Sequence, residues 1–323
     1  MGLKKLFYSL ICILLLLVAC QKEQVSISPT ELARRDSMAL HIGLMPVLDC
    51  LPIYYAQSMG MFNEVGLDVR LHTFYAQMDC DTALLRHRNE VIFTDLFRLL
   101  YNQRDSSSLC AIATTSGSQS LITAKKARIR TLGHLNERMI AIDRLSISDY
   151  LTDEAMRQAG LSRTSIYRPQ INDINLRLSM LNDQLVDGAI LPEPQATQAE
   201  LMGHNRLLKT DSTSAFYCFA ARQQCLGDTM RNQQIRQLLR IYDKAVDALN
   251  SNPNADTLHH LLVSRYAIPA EMADTIRLPR LRHITIPNDA DTDKALSWLK
   301  SRECRISDQA RKRLLWMQKP SNN

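Results

Sequence analysis

Between residues 39 and 192, short apolar runs alternate with segments that repeat apolar residues every three or four positions. Few folds are compatible with that order. Strands that alternate with helices build a parallel or mixed sheet with helices on its faces. Residues 39–45 read as a buried strand. Pro52 stands where a first-turn proline opens a helix, and Gly60 where one closes. Residues 67–74 alternate as a strand does. Asp79 or Asp81 then caps a short helix. Residues 91–93 form a strand that runs into Thr94-Asp95, a cap before another helix. Residues 109–115 and 138–143 are strand-like, and Ser146 or Ser148 caps a helix reaching Gly160. Ile174, Leu178, Leu181 and Leu185 keep helical spacing before a strand at 188–191 that stops at Pro192. Farther on, Ile235, Leu238, Leu239, Tyr242, Val246 and Leu249 trace one face of a long helix.

Length adds a prior of two lobes, because 323 residues exceed one ordinary domain. Apolar residues make up 46%, enough for a core. The chain has only 10 glycines and no G-x-G, which removes the dinucleotide fingerprint and the phosphate loop. It has no C-x-x-C and no H-E-x-x-H, so common zinc spacings are absent and no cofactor is expected. The formal charge is +6, of which Lys4 and Lys5 belong to the N-terminal segment described next. The remainder is too small to make a nucleic-acid binder by charge.

Lys4 and Lys5 precede an apolar run, 6–18, broken only by Ser9. At 1.5 Å per residue it is too short to span roughly 30 Å of hydrocarbon. It reads as a secretory signal. It ends Leu17-Val18-Ala19-Cys20, which resembles the bacterial lipoprotein processing box. The expectation is a signal peptide over 1–19, a lipid on Cys20 and a polar tether over 20–37, which together hold the protein on a membrane. Six further cysteines, Cys50, Cys80, Cys110, Cys218, Cys225 and Cys304, then meet an oxidising compartment. Six cysteines allow 15 pairings, so the sequence cannot pair them. Cys50 and Cys80 follow adjacent strands at similar offsets. A disulfide between them is one reading and buried free thiols are the other.

In open sheets of this kind, ligands sit beyond the carboxyl ends of the strands, at helix N-termini. The turns at 46–52, 75–79 and 94–95 qualify in the first half, and those at 116–120, 143–148 and 192–194 in the second. Each of these residues also has a plainer role. Thr94, Asp79 and Ser146 serve equally as caps, and Tyr54 or Tyr55 as core. Recurrence of such turns in both halves is what suggests a site.

The string His41-Ile-Gly-Leu-Met-Pro-Val-Leu-Asp49-Cys-Leu-Pro52, followed by Ala56, Gly60, Phe62 and Gly66-Leu-Asp-Val69, resembles the start of a type 2 periplasmic solute-binding protein. The branch is the one serving nitrate, sulfonate, taurine and thiamine-pyrimidine ABC importers. Thr94-Asp95, the stretch from Ile140 to Tyr150, and Asp187-Gly-Ala-Ile-Leu-Pro-Glu193-Pro194 resemble later motifs of that family. The resemblance covers about 40 to 300 and implies an α/β fold of two lobes, with a central ligand cleft and two crossing hinge strands. Lobe one would be 38–116 with 214–323, and lobe two 117–213. It implies a lipid-anchored, non-enzymatic capture protein of the cell envelope that serves an ABC permease and ATPase. Alternatives are a stand-alone ligand-sensing lipoprotein and a thiamine-precursor-type enzyme on the same fold. The expected ligand contacts are Asp49, Leu51, Pro52, Tyr75, Gln77, Thr94, Asp95, Ser118, Arg144, Ser146 and Glu193. The carboxylates Asp49, Asp79, Asp95 and Glu193, with Tyr54 or Tyr55, Phe74 and Tyr75 nearby, favour a heterocyclic or amine-bearing nutrient. Arg144 keeps a sulfonate or nitrate-like anion open.

Overall fold

The computed structural model describes residues 28–103, 108–210, 214–306 and 309–314. The expected signal peptide, Cys20 and the first part of the tether lie outside the described residues. Residues 29–37 fall in the expected tether, but Pro29–Met38 is a helix that buries none of its side chains. Glu31 pairs with Arg34 and Arg35 at the (i, i+3) and (i, i+4) spacings that support an exposed helix.

The compact remainder, from Ala39 onward, contains two sheets. The first has the order β2-β1-β3-β9-β4, from Val69–Thr73 (β2), Leu40–Leu44 (β1), Val91–Asp95 (β3), Tyr217–Arg222 (β9) and Leu109–Thr115 (β4). β1 is parallel to both β2 and β3, while β9 runs antiparallel between β3 and β4. The second has the order β6-β7-β5-β8, from Ile140–Ala141 (β6), Gly188–Pro192 (β7), Gln119–Thr123 (β5) and Asn205–Lys209 (β8). The chain leaves the first sheet after Thr115, enters the second at Gln119, and returns between Lys209 and Tyr217.

Alternation decides which side each strand residue covers. In the second sheet Leu121, Ile140 and Ile190 join one apolar cluster with Leu151 and Met156 of the helix Ile147–Gln158. Their neighbours Ile122, Ala141, Ala189 and Leu191 join another, with Leu178 and Leu181 of the helix Ile174–Asn182. Both faces are covered, so these strands read as continuous apolar runs. The first sheet carries the larger core, to which the helix Thr229–Ser251 contributes Ile235, Leu238, Tyr242 and Val246. Ile147 and Ile174, at the starts of two second-sheet helices, join that same core.

Two local expectations change, and one open pair of readings is resolved. The helix Gln77–Leu85 starts from Ala76 without a side-chain cap, so neither Asp79 nor Asp81 caps it. Residues 119–120 belong to a strand rather than to a turn. Cys50 and Cys80 are both buried free thiols, as are Cys218 and Cys225, while Cys110 is buried and Cys304 is free and half-buried. Cys80 Sγ donates instead to the carbonyl of Phe93, at 3.6 Å.

Candidate functional site

The carboxyl ends of β1, β3, β6 and β7 converge on one cavity between the sheets, reached by Met45, Asp95, Asp143 and Pro192. This is the crevice where an open sheet binds ligands, because β1 is flanked on both sides by strands that follow it in sequence. Asp95 is the N-cap of the helix Leu96–Tyr101. Its Oδ1 accepts from the Arg98 amide at 2.9 Å. Its Oδ2 accepts from the Ile147 amide of the other half, at 3.4 Å. Burial pushes its carboxyl up to about 7, although the Arg98 amide and guanidinium pull the other way. Ser146 caps the helix Ile147–Gln158 through the Ser148 amide, at 3.0 Å.

Arg98 ties the two halves together. Its Nε donates to Asp81 Oδ2 at 2.5 Å, and its NH1 to Asp143 Oδ1 at 3.3 Å. Asp81 also accepts from Gln77, Thr94 and Asn102, at 3.0, 3.0 and 3.1 Å. Burial works against the Arg98 charge, but attraction to Asp81, Asp143 and Asp95 outweighs it and holds Arg98 protonated. Burial raises Asp143 above the usual carboxylate range. Farther out, Trp298 Nε1 donates to Asp153 Oδ2 at 2.9 Å, and Arg302 pairs with Asp149 and Asp153. The Trp298 ring sits against Phe97 and Tyr150, so aromatic packing also crosses between the halves.

Of the eleven contacts expected from sequence, Gln77, Asp95 and Ser146 line this cavity. Asp49, Ser118 and Glu193 line a second cavity of about 170 Å³, beside the turn at 116–118 that joins the sheets. The loop at 46–50 separates the two. Its Leu48 amide donates to the Glu193 carbonyl at 3.0 Å, and Gln195 Nε2 donates to the Pro46 carbonyl at 2.9 Å. Asp49 accepts from the Thr115 hydroxyl, and burial pushes its carboxyl up to about 6. Glu193 is held by Arg206, at 2.7 Å, and by the Thr197 hydroxyl, also at 2.7 Å.

The remaining five lie on neither cavity. Leu51 and Pro52 are buried in the first core turn of the helix Leu51–Ser58, and Thr94 bonds Asp81. Tyr75 is exposed at the rim, where its carbonyl accepts from the Ile174 amide. Arg144 is exposed in a separate surface pocket beside Arg168 and Arg302. The turn that carries it holds Leu145 at φ +53°, placing Asp143 and Ser146 on the inner cavity but Arg144 outside. Nor do the expected aromatics meet the carboxylates. Tyr54 and Tyr55 are both core, Tyr54 bonded to Thr73 and Tyr55 to the Asn254 amide, and Asp79 is exposed on its helix.

Sequence reasoning missed Gln119, Asn172, Arg177 and Tyr217, which also line the inner cavity. Arg177 had a signal, because it falls on the apolar stripe of its helix, three residues after Ile174 and four before Leu181. A buried arginine on such a stripe demands a partner. Gln119 lies in the turn at 116–120 that the sequence marks, but it was not singled out there, since the strand it begins was not recognised.

The NMT1/THI5-like family model matches residues 48–256. The chain belongs to that family. Its fold is that of the periplasmic solute-binding proteins. The periplasmic aliphatic sulphonate binding protein SsuA from Escherichia coli superposes with a TM-score of 0.71 at 18% identity, covering 87% of this chain and 92% of the other. The alkanesulfonate-binding protein SsuA from Xanthomonas axonopodis pv. citri, bound to MOPS, gives 0.70 at 15% identity, covering 86% and 96%. The periplasmic nitrate-binding protein NrtA from Synechocystis PCC 6803 gives 0.62 at 12%, covering 72% and 68%. All three are binding proteins by name. No curated protein matches the chain in sequence.

Proposed function

We propose that this chain is the extracytoplasmic solute-binding component of an ABC-type importer, not an enzyme. It captures a small organic nutrient by closing two lobes, 38–116 with 214–323 and 117–213, and is held at a membrane by a lipid on Cys20. The supporting observation is the inner cavity, whose walls come from the carboxyl ends of strands in both sheets. A solute touching Asp95 from one side and Asp143 from the other has more contacts when the halves are together. That difference in affinity is what shifts an open–closed equilibrium. A permease then distinguishes loaded from empty protein by the relation of the lobes. Kinship with sulfonate- and nitrate-binding proteins supports the importer role. No described helix is long and apolar enough to cross a membrane, so attachment rests on the proposed lipid.

A thermal-shift screen of the purified protein against small organic nutrients tests this reading. A solute at one hundred times its Kd adds about 2.7 kcal/mol of stability. No stabilising solute from a broad library would refute the capture role. Cys20→Ser should move the protein from the membrane fraction to the soluble one, and retention on the membrane would refute the anchor.

A further inference from the structure

We infer that the open pocket around Arg144 is a second binding site, separate from the inner cavity, for the phosphate group of a phosphate monoester. None of the residues that line this pocket lines the inner cavity.

The pocket, of about 640 Å³, takes Arg144 and Arg168 from one half and Arg302 and Arg305 from the other. Its floor is a closed ionic set. Arg168 meets Asp149 and Asp153, both at 2.7 Å, and Arg302 meets the same two carboxylates at 3.2 and 3.1 Å. The Asp149 side chain is fully buried and both guanidiniums are mostly so. Arg302 also lies over the Trp298 ring, 5.3 Å from its centre. Two cations and two anions hold one another in place, so the floor is fixed and balanced.

The rim is neither. Arg144 and Arg305 are exposed, and neither guanidinium has a hydrogen bond or ion pair among the described residues. Glu303, also exposed on this pocket, pairs with neither. Four arginines thus face three carboxylates, with the surplus charge on the rim. The backbone there is unusual on both sides. Leu145 and Glu303 take φ +53° and +58°. Left-handed backbone is uncommon for residues with a Cβ, and it gathers where a site fixes its side chains.

Charge and shape narrow the class. Guanidinium forks match the oxygens of carboxylates and phosphates. A phosphate monoester carries about −1.5 to −2 near pH 7 and three terminal oxygens, so one group can serve both rim arginines. A carboxylate has one charge and two oxygens, enough for one fork. A neutral polyol leaves the repulsion between the two guanidiniums uncompensated. The pocket is open, so a dianion enters without losing all its water. Its volume leaves room for an organic remainder beside Leu145 and Tyr101.

Isothermal titration of the purified protein with glycerol 3-phosphate, glycerate and glycerol tests this, because the three share a carbon skeleton and differ in charge. Glycerol 3-phosphate should bind about ten-fold or more tighter than glycerate, and glycerol should not bind. Arg144→Ala and Arg305→Ala should each weaken it about ten-fold, the loss of one charge-assisted contact. Should either fail to fold, the matching lysine variant keeps the charge without the fork and should still bind more weakly. Lys244→Ala removes a surface cation outside the pocket and should leave binding unchanged. Phosphatidic acid carries the same monoester on a lipid, so flotation of the Cys20→Ser protein with phosphatidylcholine vesicles, with and without phosphatidic acid, separates the sources. Binding of glycerol 3-phosphate without flotation assigns a free monoester, and flotation that needs both phosphatidic acid and the rim arginines assigns a headgroup. Failure of both overturns the inference. So does glycerate or glycerol binding as tightly, wild-type affinity in an Arg144 or Arg305 variant, or an equal loss in Lys244→Ala.

Discussion

Replacing Arg98 by Met removes the cation that joins the halves and leaves a side chain of similar length. Asp81 and Asp143 are both nearly inaccessible, with side chains 5% exposed, and Arg98 is 11% exposed. Removing one partner of a buried ion pair costs about 3–5 kcal/mol, because the remaining charge stays desolvated. The lower end applies here. Asp81 keeps Gln77, Thr94 and Asn102 as donors, so the loss falls chiefly on Asp143. At about 2–4 °C per kcal/mol for a chain of this order, a loss of about 3 kcal/mol lowers Tm by roughly 6–12 °C. The sign of the pH dependence follows from burial. Without Arg98, Asp143 rises further above its unfolded value, and its penalty is fully present at high pH. The penalty fades as pH falls through the folded-state value and the group takes up a proton. Thermal melts followed by circular dichroism at pH 8 and pH 5 should therefore show the variant closer to wild type at pH 5. A loss under about 1 kcal/mol at pH 8, or an equal loss at both pH values, would falsify the claim that Arg98 compensates buried carboxylates.

Three other outcomes can be checked. Asp95 has a folded value of about 7, so its contribution to stability declines as pH rises from about 4 to 7 and is level above that. Asp95→Asn keeps a capping side chain and should flatten that slope, gaining up to about 4 kcal/mol at pH 8, whereas an unchanged melting profile against pH would contradict the burial argument. Gly117→Ala would set a Cβ against the Asp49 carboxylate, so the turn between the sheets must shift, at about 1–3 kcal/mol; chemical denaturation showing wild-type stability would mean that the turn yields freely. Trp298 packs on Phe97 and Tyr150 across the halves, so its emission should shift to the red when mild urea parts them and to the blue when a solute closes them; Trp316→Phe removes the other tryptophan, and emission indifferent to both treatments would mean that the halves do not move there.

Local chemistry made much of the fold readable. The Pro52 helix start, the Asp95 and Ser146 caps and the apolar stripe of Thr229–Ser251 depend on neighbours within one turn, and each appears where the spacing put it. Strand β5 did not announce itself, because Gln-Ser-Leu-Ile-Thr opens with two polar residues that find partners only in the folded protein, Gln119 on Tyr217 and Ser120 on Arg206. The candidate site was harder still. Turns at strand ends were identifiable, but not the direction in which each side chain points. Arg144 and Asp143 are adjacent, yet one is exposed at the surface and the other is buried on the inner cavity. Asp49 and Asp95 follow neighbouring strands, yet the loop at 46–50 puts them on different cavities. Such separations are set by contacts between residues more than one hundred positions apart, as between Pro46 and Gln195.

That loop also bears on how easily the halves part. Its bonds to Glu193 and Gln195 involve a backbone amide and a backbone carbonyl, groups that water solvates well once exposed. Each contributes about 1 kcal/mol net to keeping the halves together. The Arg98 triad behaves differently. Under the proposed opening, Asp81 would stay with Arg98, since both lie on helices packed against β3 of the first sheet, and Asp143, whose carboxyl is raised by burial, would be hydrated. Part of the Coulombic loss on opening is therefore offset by relief of desolvation. The outer contacts, Trp298 and Arg302 on Asp153, are partly exposed and weaker. Ile147, Ile174 and the Tyr150 ring add apolar contact across the halves, so under the proposed closure a solute must bind one arrangement about 10⁴-fold more tightly to carry the ratio from 1:99 to 99:1.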